Sequence, residues 1–240
     1  MAEAGGSDPA VPGGDLDLRL DRIEAAVAAG DTDLRTLGFW RIVALVKADR
    51  IMVDRYADRL GSIDATAFRR AVRPRFPVWV GNAALFVGAA VGGVLIGIAG
   101  KIEDEVWKGL LVILAGLDWA VAVHCPTHWL FGRFIDVRFS AYVLRGVPPY
   151  PGLKTDYATY LRADPGSRAW MHASGAIATK LAPFLALIFV PIVEAPAWAA
   201  IVLAGVGVLQ IITDVAFSTK KSDWKRFSRE RRVALARRDV

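Results

Sequence analysis

An all-α membrane protein with four transmembrane helices is the fold class this sequence predicts, and three observations predict it. Of its 240 residues 54% are hydrophobic and 22% charged, with a mean hydropathy of +0.36, a balance too apolar for an ordinary soluble domain and far from that of disordered chains. Four stretches, 77–100, 108–132, 170–193 and 196–219, have about the ~20 apolar residues that a hydrocarbon core requires. Basic residues gather at alternate ends of these stretches. Arg69, Arg70, Arg73 and Arg75 precede the first; Arg133, Arg138, Arg145, Lys154, Arg162 and Arg168 lie between the second and third; Lys220, Lys221, Lys225, Arg226, Arg229, Arg231 and Arg232 follow the fourth. The two remaining connections are KIEDEVWK and a short turn around Glu194. The positive-inside rule then places both termini and the middle loop in the cytoplasm of a multipass protein of the cell membrane.

The elements follow in chain order. Residues 1–14, MAEAGGSDPAVPGG, lack the basic start and apolar core of a secretory signal and read as a short disordered tail. Residues 15–76 read as cytoplasmic amphipathic helices. The first ends at Gly30, and a longer run through Leu37, Ile42, Val46, Val53 and Leu60 ends at Gly61. This segment suits a helical cap on the membrane or under the bundle, or else a partner-binding module. The four spans occupy 77–219, with Gly88, Gly92, Gly93 and Gly97 in the first permitting close helix packing. Trp79, Trp107, Trp129, Trp170, Trp198 and Trp224 fall at or near span ends, as interfacial indoles do. Between spans two and three, DVRFSAYVLRG alternates as a strand or small β-hairpin, PPYPG is a stiff connector and TDYATYLRA suits a short helix. Residues 220–240 read as a basic cytoplasmic tail.

Charge and cysteine content narrow the partners. Thirty Lys and Arg against 24 Asp and Glu give +6, but the basic residues flank apolar runs instead of forming one stripe, so topology accounts for them and no nucleic-acid partner is expected. The lipid bilayer is the first partner, with segments of other membrane proteins as further ones. Cys125 is the single cysteine. No internal disulfide can form, and any metal needs His and carboxylate ligands.

Ionisable residues inside spans are expensive to bury, so they pair with one another or line a functional cavity. Measured along the helix axis, His128 lies ~7.5 Å and His124 ~13.5 Å deeper than Arg133. Asp214 is ~9 Å deeper than Lys220, and His172 ~6 Å deeper than Arg168. Four possible ligands from three spans thus share one level near the cytoplasmic face. His124 and His128, four apart, lie on one helix face and can meet one ion, with Asp214 as the expected third ligand. Zinc suits this set, iron and manganese being also compatible; the alternative is hydrogen bonding across helices. His172 is a candidate for supporting such a ligand or for an interfacial role. Asp118 and Lys180 share a depth nearer mid-membrane and are expected to neutralise each other, a proton or ion pathway being the alternative. Pro126 should kink the helix at HCPTH by leaving the Ala122 carbonyl without its usual donor. Cys125, ~100° from His124 on the helical wheel, should point away from a metal held by both histidines.

The stretch from HCPTHWLFG through the middle loop to HASGAIATKLAP and on to Asp214 resembles the site-2 protease family of intramembrane zinc metalloproteases, over roughly residues 108–224. His124 and His128 match the histidines of the family's HExxH, Gly132 follows at a suitable offset, SGAI at 174–177 matches a turn of small residues, and Asp214 stands where the family carries its aspartate ligand. The resemblance implies the scaffold and a zinc site. Two departures stand out: Cys125 occupies the position of the catalytic glutamate, and QIIT precedes Asp214 in place of an asparagine-proline signature. The general base that accepts the proton of zinc-bound water contributes ~10²- to 10⁴-fold, so ordinary peptidase activity is not expected. The expected function is that of a metal-binding, protease-like pseudoenzyme with no catalytic residue assigned. The alternatives are an active metalloprotease with a non-standard base such as Asp136 or Asp156, and a small transporter or ion-binding protein using Asp118 and Lys180.

Overall fold

The computed structural model describes residues 13–147, 149–216 and 222–237, the side chains at 13, 14 and 215 apart. The expected disordered tail therefore lies outside the described residues up to position 12. The chain divides into two units, Met1–Arg73 and Pro74–Val240.

The first unit holds α1 (Gly13–Ala29), α2 (Phe39–Ala48) and α3 (Arg50–Ala71). Leu16, Leu20, Ile23 and Val27 make one buried stripe on α1, at the spacing that keeps a single helix face inward. That helix stops at Gly30, whose φ of 108° lies in the left-handed region that glycine enters without penalty. The long amphipathic run does not end at Gly61. It breaks at Asp49, whose extended backbone and side chain accepting from Ile51 N–H (2.7 Å) start α3. α3 then continues through Gly61 because Leu60, Ile63 and Ala67 prolong its buried face. Arg59 of α3 binds Asp17, Asp21 and Glu24 of α1, which raises the guanidinium pKa further, chiefly through the Glu24 hydrogen bond. Arg70 closes the end of α1 by donating to the Val27 and Ala28 carbonyls at 2.8 Å.

The second unit runs β1 (Arg75–Phe76), α4 (Val78–Ala99), α5 (Glu105–Ala122), α6 (His124–Phe134), β2 (Phe139–Arg145), β3 (Tyr150–Thr155), α7 (Tyr157–Arg162), α8 (Pro165–Ile192), α9 (Ala197–Ala216) and α10 (Asp223–Ala236). Among the described residues, four helices are long and apolar enough to cross a membrane: Val78–Ala99, Glu105–Phe134, Pro165–Ile192 and Ala197–Asp214. The second is one span made of α5 and α6. It is interrupted at Val123, whose backbone stays in the right-handed helical region, within the turn that Pro126 leaves without a donor. A core of Ile96, Val112, Ala115, Ala186, Val190 and Leu203 joins the bundle. Gly92 lets α4 and α5 approach: a Cβ there would stand 2.3 Å from Trp119 Nε1, and that indole N–H donates to the Ala89 carbonyl of α4 at 2.9 Å. Gly93 and Gly97 face open space instead.

The middle segment forms the expected hairpin, β2 against β3 with Tyr142 opposite Leu153, and α7 fills the expected short helix. Two residues before the first span add an edge, pairing Arg75 with Val143 in a three-stranded antiparallel sheet of order β1-β2-β3. Tyr142 ties this sheet to α4 by donating to Asn82 Oδ1 at 2.7 Å. Residues 217–219 of the expected fourth span, and 220–221 and 238–240 of the expected basic tail, lie outside the described residues. The rest is not an extended tail: residues 223–236 form α10, capped by the Ser222 hydroxyl and packed along α8.

Candidate metal centre

The break at Val123 starts α6 with His124, and one turn later comes His128. Their rings stand 4.8 Å apart, edge to face. α8 fixes each ring from the far side. His128 Nδ1 is 2.6 Å from the Met171 carbonyl, and His124 Nδ1 is 2.9 Å from Thr179 Oγ1. A carbonyl can only accept, so His128 carries a proton on Nδ1, and the neutral form of the ring would present a lone pair at Nε2. This is how ligating histidines are held, with the second ring nitrogen donating to a carbonyl, carboxylate or water. Gly175 makes the room: a Cβ there would lie 2.3 Å from His128 Nε2.

Both Nε2 atoms point at Asp223, the first residue of α10. Its Oδ2 is 3.3 Å from His128 Nε2 and 3.4 Å from His124 Nε2. One ligand atom from each of the three residues falls within 4.8 Å of the others, and all three residues are half-buried. With metal–ligand distances of ~2.0–2.2 Å, two tetrahedral ligands of zinc stand ~3.3–3.5 Å apart; both histidine–aspartate separations match. An acceptor nitrogen facing a carboxylate oxygen at this range requires a proton or a cation between them. Burial pushes the Asp223 carboxyl pKa up, but the His128 hydrogen bond and the His128, His124 and Arg226 charges outweigh it and hold the carboxyl below its usual range. It is therefore an anion, as a ligand must be.

The site residues expected from the sequence are distributed otherwise than their depths suggested. His124 and His128 meet as expected. Asp214 does not join them; it forms an ion pair with Lys180, whose ammonium also donates to the Ala176 carbonyl at 3.3 Å. Asp118 is consequently not the partner of Lys180. It faces α4, where a Cβ on Gly92 would meet its Oδ2 at 2.9 Å, and that oxygen has no hydrogen-bond partner among the described residues. Axial depth fixes the level of a side chain but not its direction around the helix, which is where both assignments failed. His172 turns away from the pair: its Nε2 is 2.9 Å from the Tyr160 hydroxyl, and its neighbour Met171 supplies the supporting carbonyl.

Cys125 points elsewhere too, its Sγ 3.6 Å from the Pro151 carbonyl of β3. Of the carboxylates proposed as a substitute base, Asp156 caps α7 through Thr159 N–H (2.9 Å). Asp136, in a left-handed turn at φ 58°, lines a cavity of about 740 Å³ with Arg133, Arg138 and Arg162.

The residue missed was Asp223. Its signal was a helical face hidden in a basic stretch: Asp223, Trp224, Phe227 and Glu230 recur at three- and four-residue steps among lysines and arginines. Arg168, one of the basic residues that flank the third span, is fully buried. It binds Glu230 of α10 at 2.9 Å and donates to the Leu161 carbonyl at 2.8 Å. No family model, curated protein or solved structure matches this chain.

Proposed function

We propose that the chain is a multipass membrane protein holding a divalent transition metal, zinc first, between His124, His128 and Asp223 near the cytoplasmic face, on a site-2-protease-like scaffold without ordinary peptidase activity. The observation that carries this reading is the convergence of three possible ligand atoms within 4.8 Å of one another, both histidine–aspartate separations matching tetrahedral zinc, with His128 Nδ1 already tied to a carbonyl. A bound metal would act there as a Lewis acid. This chain's residues would hold and orient it: α6 supplies the imidazoles, α8 holds both rings and sets the Nδ1 proton of His128, and α10 supplies the anion.

The likeness of HCPTH, Gly132 and SGAI to the metalloprotease family supports the scaffold, although its aspartate position, Asp214, is engaged with Lys180, and the supporting small residue, Gly175, falls within its SGAI match. The want of a base argues against hydrolysis: Cys125 faces the hairpin, Asp156 caps a helix and Asp136 lies in the turn after α6. Four apolar helices together with the distribution of arginine and lysine support a cell-membrane location with both termini cytoplasmic.

Metal analysis of the purified protein beside the His124→Ala, His128→Ala double variant tests this function. One equivalent in the wild type and none in the variant is the expected result. A wild type that stays metal-free after supplementation with zinc, iron and manganese reduces the cluster to an imidazolium–carboxylate contact. Chelator-sensitive cleavage of a transmembrane peptide by the wild type would restore the protease reading.

A further inference from the structure

Two acids interrupt the basic sequence of α10, and both turn inward. Asp223 reaches the two histidines, and Glu230 meets buried Arg168. Seven residues separate them, ~10.5 Å or two turns along one face. Phe227 sits between, its ring edge-on to Trp170 of α8 at 5.4 Å and to Trp224 at 5.9 Å. Lys225, Arg229, Arg231 and Arg232 remain exposed on the other side. The helix is therefore clasped at three points: the Arg168–Glu230 pair, the aromatic contact, and Asp223 at the metal centre.

The first two clasps are complete in themselves, and the third is not. Asp223 Oδ2 faces His124 and His128 nitrogens at 3.4 and 3.3 Å, a contact that is complete only with a proton or a cation between the carboxylate and each ring nitrogen. Asp223 is also the one member of the trio that α6 does not carry, so binding a cation there must draw α6 and α10 together.

We infer that α10 is a metal-dependent latch: a divalent cation on His124 and His128 captures Asp223 and fastens α10 onto α8, and loss of the cation loosens the helix and uncovers the histidines. This inference rests on the metal centre proposed above and names its regulation. Linkage makes it reciprocal, because whatever factor the cation adds to α10 docking, docking adds to cation affinity.

Hydrogen exchange of the full chain in detergent micelles, with zinc alone or after chelator stripping, tests the latch, zinc stoichiometry being measured on the same samples. Zinc should slow the amides of residues 227–236 by about tenfold or more, within the ~5- to 150-fold range of coupled sites, and leave those of α1 and α4 unchanged. Phe227→Ala and Glu230→Gln, neither of them a ligand, should each weaken zinc binding severalfold. Stoichiometric zinc with unchanged α10 exchange overturns the latch and leaves the metal centre standing. Zinc affinity within twofold of the wild type in both variants does the same. Absence of bound zinc overturns the metal centre and the latch together.

Discussion

At the scale of single residues, Gly175 and Asp223 decide the chemistry. Because a Cβ on Gly175 would lie 2.3 Å from His128 Nε2, Gly175→Ala must displace the imidazole; zinc affinity should fall ~10- to 100-fold, the range for residues that orient ligands. Gly205→Ala, where nothing stands within 4 Å, is the matched control, and equal affinity losses in the two would refute the packing argument. Asp223→Asn should abolish stoichiometric zinc while Asp214→Asn retains it, since Asp214 is engaged with Lys180. That ion pair has its own test. Lys180→Met should destabilise more than Lys180→Met combined with Asp214→Leu, because one partner alone leaves a half-buried charge within the apolar bundle uncompensated; additive losses in a thermal-denaturation cycle would remove the pairing. The histidine pair was legible in the sequence because four-residue spacing fixes both depth and direction on one helix. The pairing of Lys180 was not, because depth pointed to Asp118 alone, and depth carries neither direction around the helix nor the reach of a long side chain; Lys180 meets Asp214.

At the scale of elements, α10 is the one whose role composition hid. Basic flanks of apolar spans read as topology signals, and Lys225, Arg229, Arg231 and Arg232 do stay exposed; the inward face of the same helix is what binds. Arg168 is fully buried against Glu230, so Glu230→Ala leaves an unpaired interior guanidinium and should cost ~3–5 kcal/mol, whereas Arg168→Met with Glu230→Leu should recover most of it. Denaturation midpoints of the single and double variants check this, and an equal loss in both would contradict it. The hairpin and α7 were legible from alternation and from the TDYATYLRA pattern. The two-residue β1 was not, being too short to carry a period and defined only by its partner in β2. The long amphipathic run was read as ending at Gly61, yet it breaks at Asp49, where a cap outweighs continuing helical periodicity, and passes Gly61 because apolar residues beyond it keep the face buried.

At the scale of the whole molecule, four apolar helices and the segregation of basic residues make one account of topology. Reporter fusions at residue 105 and at the C-terminus should lie on opposite sides of the membrane, and finding them on the same side would refute the four-span arrangement. In that arrangement the three candidate ligands, from α6 and α10, would lie at the end of the bundle that faces the cytoplasm, with α8 behind them holding both imidazoles. X-ray absorption at the zinc edge of the metal-loaded full-length protein tests this account most directly. It predicts one zinc with two imidazole nitrogens and a carboxylate oxygen at ~2.0–2.2 Å, and loss of the oxygen-ligated form in Asp223→Asn. A sulfur ligand at ~2.3 Å, an all-oxygen shell without imidazole scattering, or no stoichiometric zinc would contradict it.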